Sequence, residues 1–202
     1  MKKTLLPLAL LPLAAFGAGQ ARATDVYATS LEDQRIVHVD TTTNTVTTVN
    51  TSALGTTVDS LFFLNSNTLL YTGIGNGTLN SLNISTGVPT TLVSGMNGPR
   101  DVVIDPTGSF AFVSDFNNSR IVKVKLSDNT TTNLPMAAGT DGLAFDAAGN
   151  LFAVVGRNSV RQINQTTGAT IAMIAPSGFG NLDGLTYDAA NNKLWATNFD
   201  GG

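Results

Sequence analysis

The sequence has no cysteine, one histidine and one glutamate among its 202 residues. Without cysteine the chain has no disulfide framework, no thiolate zinc site, no thiol nucleophile and no cysteine-linked lipid anchor. The lone histidine, His38, and the lone glutamate, Glu32, leave few side chains for acid–base catalysis. A Ser-His-Asp triad is therefore not expected, and the catalytic options are narrow.

Charged residues and helical patterns are also scarce. Asp, Glu, Lys and Arg make up 12% of the residues and the formal net charge is −3, so the chain lacks the basic surface of a nucleic-acid binder. Hydrophobic residues make up 42%, which is enough for a packed core and excludes a disordered acidic chain. No segment carries a sustained apolar period of 3.6 residues, the pattern of an amphipathic helix.

Residues 1–23 have the three parts of a secretory signal peptide. Lys2 and Lys3 give a positive start, an apolar run extends from Leu5 to Phe16, and Ala21-Arg22-Ala23 has the small-x-small pattern of a signal peptidase site. A retained membrane anchor is the alternative, but a spanning helix needs about 20 apolar residues and the run from Leu5 to Phe16 is shorter than that. We expect an exported protein, periplasmic or secreted, whose mature chain begins near Thr24 and has no membrane span.

A motif recurs along the rest of the chain with a period of about 40 residues. Its leading aspartates are separated by 42, 40 and 42 residues, and they are Asp59, Asp101, Asp141 and Asp183. After each aspartate come an apolar run, a polar turn suited to a tight hairpin, a second apolar strand, a third strand and a Thr-rich fourth strand. Four short strands in about 40 residues are the signature of a propeller blade. The sequence therefore predicts an all-β fold, a β-propeller with four-stranded blades.

The repeat also predicts how many blades the chain holds. Three full blades are expected at about 58–97, 98–138 and 139–180. Val26 to Thr29 aligns with a second strand, so the first blade lacks its innermost strand, and two strands of a fifth blade end the sequence. We expect residues 24–202 to form a partial ring of about four and a half blades. Such a ring is either a fragment of a six- or seven-bladed propeller or a chain that needs a partner to cover its open edges.

Several of these segments resemble known propeller repeats. Residues 98–108, GPRDVVIDPTG, together with the Asp115 region resemble an NHL or YVTN-type repeat. Residues 141–151, DGLAFDAAGNL, and Asp183-Gly184-Leu185 resemble blades of the gluconolactonase-like (senescence marker protein) family. In that family a Glu, an Asn and an Asp at the channel mouth bind a divalent cation. The resemblance implies that Asp141 and Asp183, each in an Asp-Gly pair, match the family's Asp.

The recurring aspartates are the candidate site. Each begins an innermost strand, so ring closure would place them around one mouth of the central channel. Convergent carboxylates suit a hard cation, and we name Asp101, Asp141 and Asp183 as candidate ligands of Ca²⁺ or another divalent cation. The alternative is structural, because an aspartate before a strand accepts backbone N–H bonds and holds the loop between blades. Recurrence in every blade favours the structural role.

The remaining polar residues fit a metalloenzyme poorly. The Glu of the lactonase family would belong to an inner strand that the first blade lacks, and Glu32 falls in a hairpin instead. Asp115 and Asn198 end second strands on the same side as the recurring aspartates, where they could add ligands, but capping of the hairpins is the expected role. His38 alternates with apolar residues in a third strand, which counts against a streptogramin-lyase-like activity with its catalytic histidine near the channel.

Two function classes remain open. The first is a non-enzymatic, exported binding module whose loops present a surface to a protein, a polymer or a small molecule. The second is a divalent-metal-dependent lactonase-type hydrolase, in which the cation polarises the carbonyl and lowers the pKa of bound water. We favour the first class because the ligand set is incomplete and catalytic bases are scarce.

Overall fold

The computed structural model describes residues 25–30, 34–50, 54–175 and 180–199. The expected signal peptide and Glu32 lie outside these ranges. Within them the chain forms seventeen β-strands and one short 3₁₀ turn, Phe116–Asn118, and no α-helix. The described part contains no helix of the length and apolar character that crossing a membrane requires.

The strands form five antiparallel sheets in chain order. The first sheet has three strands, β1 (Asp25–Ser30), β2 (Arg35–Asp40) and β3 (Thr45–Thr48). Three four-stranded sheets follow: β4 (Val58–Asn65), β5 (Thr68–Gly73), β6 (Thr78–Asn83) and β7 (Pro89–Val93); β8 (Pro99–Ile104), β9 (Phe110–Asp115), β10 (Arg120–Lys125) and β11 (Thr131–Pro135); β12 (Thr140–Phe145), β13 (Leu151–Val155), β14 (Ser159–Ile163) and β15 (Thr170–Ala175). The last sheet described has two strands, β16 (Leu182–Asp188) and β17 (Lys193–Asn198).

Aspartates in the polar turns explain why the innermost strands fold back into hairpins. After β8, Oδ1 of Asp105 accepts hydrogen bonds from the backbone N–H groups of Ser109 (2.9 Å) and Phe110 (2.7 Å). After β12, Asp146 accepts them from Ala148 and Asn150 in the same way. These carboxylates satisfy N–H groups that a tight turn leaves unpaired. The turns predicted from the sequence are therefore observed.

The sheets pack face to face around a common axis. Strand β4 lies against β8, β8 against β12, and β12 against β16. Apolar side chains fill the space between neighbouring sheets, and every residue of β13 is buried, whereas every residue of the outer strand β3 is exposed. A strand covered on both faces reads as a continuous apolar run. The all-β propeller architecture and the three four-stranded blades predicted from the repeat are confirmed.

The two innermost strands β12 and β16 approach one another unusually closely at Gly142. A Cβ atom on Gly142 would lie 2.5 Å from the backbone O of Asp183 and would also clash with the N of Leu185. Only glycine permits this approach. The glycine of the Asp141-Gly142 pair is thus required by backbone packing beside the channel.

Candidate functional site

The starts of the four innermost strands surround a cleft of about 340 Å³ at one mouth of the central channel. All four recurring aspartates line it, together with Arg100. The structure thus brings Asp101, Asp141 and Asp183 together at one mouth. Their individual surroundings differ, and those differences decide what each can do.

Asp101 is half-buried and bonds to three innermost strands at once. Its Oδ1 accepts hydrogen bonds from Ser60 Oγ on β4 (2.6 Å) and from its neighbour Val102 N (2.8 Å). Its Oδ2 accepts one from Leu143 N on β12 (2.7 Å). Loss of water around the carboxylate raises the pKa of Asp101 to about 6, although these donors act in the opposite direction. Asp101 therefore ties neighbouring blades together.

Asp141 is paired with an arginine. Its side chain is 2% exposed, and its Oδ2 lies 2.7 Å from Nε of Arg157. Burial raises the pKa of the Asp141 carboxyl, and the hydrogen bond and charge of Arg157 counteract part of that increase. Breaking this pair would leave a buried charge without compensation. Asp141 is thus engaged by the protein itself.

Asp59 and Asp183 make weaker or fewer polar contacts with the described residues than Asp101 and Asp141 do. Oδ2 of Asp59 lies 3.5 Å from Nη1 of Arg100, and both side chains are about one-third exposed. Burial raises the pKa of Asp59. The carboxylate of Asp183 accepts no hydrogen bond from any residue that the structure describes, and it lines the cleft together with Asp101 and Asp141. These two carboxylates are the ones available to a ligand.

A shared cation needs several carboxylates around one point, because Ca²⁺ takes 6–8 oxygen ligands. Across the described ranges, no three His, Cys, Asp or Glu side chains are grouped closely enough to hold a metal ion. Asp101 also accepts protein hydrogen bonds on both carboxylate oxygens, and Oδ2 of Asp141 is paired with Arg157. The arrangement does not fit a divalent cation as it stands, and metal binding by Asp101, Asp141 and Asp183 stays a prediction.

Two arginines that the sequence reasoning did not single out complete the mouth. The guanidinium carbons of Arg157 and Arg100 lie 4.7 Å and 5.7 Å from the ring centre of Phe116. Both arginines line a second cavity of about 260 Å³, whose other lining residues are Asn181, Leu182, Asp183 and Phe199. Arg100 and Asp183 border both cavities. The acidic cleft and the arginine-lined cavity therefore adjoin each other at the mouth.

Arg100 carried a signal in the sequence, whereas Arg157 stands out only in the structure. Arg100 directly precedes the recurring Asp101. Arg157 follows Gly156 in the hairpin between β13 and β14, and it has a positive φ of 57°. A large side chain in this conformation is unusual, since turns of this kind favour Asn or Gly. An arginine at such a position is a reason to look for a role of its side chain.

Asp115 and His38 line neither cavity of the mouth. Asp115 is fully buried; its Oδ1 accepts from Asn97 N (2.7 Å), and its Oδ2 accepts from Asn118 Nδ2 (2.9 Å) and Arg120 Nε (2.6 Å). This is the hairpin role expected for Asp115. His38 lies on β2 in the first sheet, 2.5 Å from Asp25, and lines neither cavity of the mouth.

Comparison with known proteins supports the fold. No protein-family model and no curated protein matches this chain. A chain of a nidogen/laminin complex has a TM-score of 0.75 at 17% identity, with 88% of this chain and 68% of that chain covered. Virginiamycin B lyase from Staphylococcus aureus has a TM-score of 0.70 at 14% identity, with 86% and 59% covered. Hydrazine synthase from Kuenenia stuttgartiensis has a TM-score of 0.72 at 16% identity, with 86% and 52% covered.

These similarities concern architecture. The three structures are β-propeller proteins, and at such low identity a shared fold carries no shared activity. This chain spans 59% of the lyase chain and 52% of the synthase chain. The chain is a β-propeller, and the gluconolactonase-like resemblance stays a hypothesis.

Proposed function

We propose that this protein is an exported β-propeller that binds a charged ligand at the channel mouth and does no chemistry on it. The observation that carries the proposal is that two carboxylates of the mouth are already bound by groups of the protein. Asp101 accepts three hydrogen bonds from the protein, and Asp141 is paired with Arg157. Carboxylates bound in this way position blades and arginines, and a catalytic metal would compete with these protein donors for them.

The other charged side chains of the mouth are suited to binding a charged ligand. Arg100, Arg157, Asp59 and Asp183 present opposite charges on one rim, each at least partly exposed. Charge arrangements of this kind give a binding site its orientation and selectivity. The single histidine, the most common general base, lies in another sheet.

Export rests on the sequence of residues 1–23. Recovery of the protein from outside the cytoplasm, followed by N-terminal sequencing, should give a mature chain that begins near Thr24. A cytoplasmic protein that still carries Lys2 and Lys3 would contradict this part of the proposal.

A calcium titration separates binding from metal-dependent hydrolysis. We expect no saturable heat on calorimetric titration of the purified chain with Ca²⁺, and no hydrolysis of glucono-1,5-lactone above the spontaneous rate. Saturable Ca²⁺ binding that disappears in Asp141→Asn, together with lactone hydrolysis, would establish the hydrolase instead. Substitutions at the channel mouth should weaken the binding of charged ligands. Arg100→Gln should therefore weaken this binding, and Arg35→Gln should leave it unchanged. Arg35 is an exposed residue of β2, which makes it a matched control.

A further inference from the structure

We propose that the channel mouth selects zwitterionic small molecules of the amino-acid class. Arg100 and Arg157 would bind the carboxylate, and Asp183 would bind the ammonium group. This inference rests on the proposed binding function and adds the chemical class of the ligand. It follows from three features of the mouth: unused guanidinium donors, fixed arginine positions, and the carboxylate of Asp183, which accepts no hydrogen bond from the described residues.

The two guanidinium groups have hydrogen-bond donors to spare. Nε of Arg100 is buried and has no hydrogen-bond partner among the described residues, and the contact of Nη1 with Asp59 is long, at 3.5 Å. Arg157 uses Nε for Asp141, and its two terminal nitrogens make no hydrogen bond to the described part of the chain. A buried donor without a partner is costly. A planar carboxylate would satisfy such donors, because guanidinium and carboxylate groups match in geometry.

Contacts on several sides hold the arginines in place. Both guanidiniums lie against the ring of Phe116, a cation–π arrangement that limits their movement. The backbone O of Arg157 accepts a hydrogen bond from Leu182 N at 2.7 Å, which joins the β13–β14 hairpin to the start of β16. Donors that are ordered before binding lose less entropy when a ligand arrives.

Asp183 supplies the opposite charge at the same cavity. It borders the cavity that holds both arginines and also the acidic cleft that contains Asp59. A simple anion would be repelled by Asp183, and a simple cation would be repelled by the arginines. A molecule that carries both charges avoids both penalties, which is how opposed charges create specificity. Phe199, 79% exposed, lines the same cavity and offers an apolar wall for a side chain.

Three probes of nearly the same shape test the inference. L-leucine carries both charges, 4-methylpentanoate lacks the ammonium group, and 3-methylbutylamine lacks the carboxylate. We expect calorimetry or ligand-detected NMR on the purified chain to show leucine binding about tenfold or more tightly than either single-charge probe, since a charge-assisted hydrogen bond accounts for at least that ratio.

Two variants assign each charge to its residue. Asp183→Asn should weaken leucine binding about tenfold and leave 4-methylpentanoate binding unchanged or stronger. Arg100→Gln should weaken leucine and 4-methylpentanoate binding and leave 3-methylbutylamine binding unchanged or stronger, and Arg35→Gln should change none of them. Circular dichroism checks that each variant is folded, and Arg100→Lys replaces Arg100→Gln if the latter does not fold.

The outcomes distinguish this inference from the proposed function. If a single-charge probe binds as tightly as leucine and depends on Arg100, the mouth is a binding site but its selectivity for zwitterions is refuted. If leucine does not bind, or if Asp183→Asn weakens all three probes equally, the inference is also overturned. Saturable Ca²⁺ binding with lactone hydrolysis would overturn the proposed function itself.

Discussion

Replacement of Asp101 by asparagine tests whether the aspartates at the mouth hold the blades together. In Asp101→Asn the amide oxygen can replace Oδ1 and keep the bonds from Ser60 and Val102. The amide NH₂ would then face the N–H of Leu143, which donates to Oδ2 at 2.7 Å in the native protein. The loss of a charge-assisted bond and the resulting unpaired donor should lower the free energy of unfolding by about 2 kcal/mol at pH 7.

The same substitution should have a larger effect in mild acid. The pKa of Asp101 is raised from 3.8 to about 6 in the folded protein, chiefly by burial. The folded chain therefore binds more protons than the unfolded chain between these pH values, so the native residue adds stability as the pH falls toward 4. Asparagine does not titrate, and the difference between the two proteins should grow by about 1–2 kcal/mol from pH 7 to pH 4.5.

Urea unfolding followed by far-UV circular dichroism measures both effects. Asp183→Asn is the matched control, since Asp183 occupies the equivalent position and accepts no hydrogen bond within the described ranges; its cost should stay below about 0.5 kcal/mol. Equal stability of Asp101→Asn and the native protein would refute the bridging role. A smaller difference at pH 4.5 than at pH 7 would refute the reasoning about burial.

Two further substitutions test neighbouring contacts. Arg157→Gln leaves the buried carboxylate of Asp141 without its charge partner and should lower the free energy of unfolding by about 2 kcal/mol. The cost is smaller than for a fully buried pair because the side chain of Arg157 is 35% exposed. Unchanged urea unfolding would contradict the pairing. Gly142→Ala forces a Cβ into the backbone of β16 and should lower the free energy of unfolding by about 3 kcal/mol. Gly108→Ala is its control, because the new Cβ has open space around it, and should lower that free energy by about 1 kcal/mol. Equal shifts of the melting temperature would contradict the close approach of β12 and β16.

The blade architecture was predictable because residues close together in the sequence specify each strand and each turn. Strands buried on both faces require continuous apolar runs, and hairpins require Asx and Gly residues at fixed offsets, so each blade repeats the same pattern along the chain. Strand β13, Leu151–Val155, shows this most clearly, since all five residues are apolar and buried. The aspartates were recognisable for the same reason.

The roles of the aspartates were not predictable, because they depend on contacts between blades. Asp101 faces Ser60, the residue after the aspartate of the preceding blade, and receives its hydroxyl hydrogen bond. The corresponding neighbour of Asp183 is Gly142, which has no side chain to donate. Equivalent positions in a repeat thus acquire different functions from a single change in the adjacent blade. Arg157 was missed because its pairing with Asp141 joins the hairpin after β13 to the start of β12.

A crystal structure of the chain grown with both L-leucine and Ca²⁺ tests the central claim most directly. We predict leucine at the mouth, with its carboxylate on Arg100 and Arg157 and its ammonium group on Asp183, while Asp101 keeps its bonds to Ser60 and Leu143. A cation held by Asp101, Asp141 and Asp183, with the bond between Asp141 and Arg157 broken, would contradict the account.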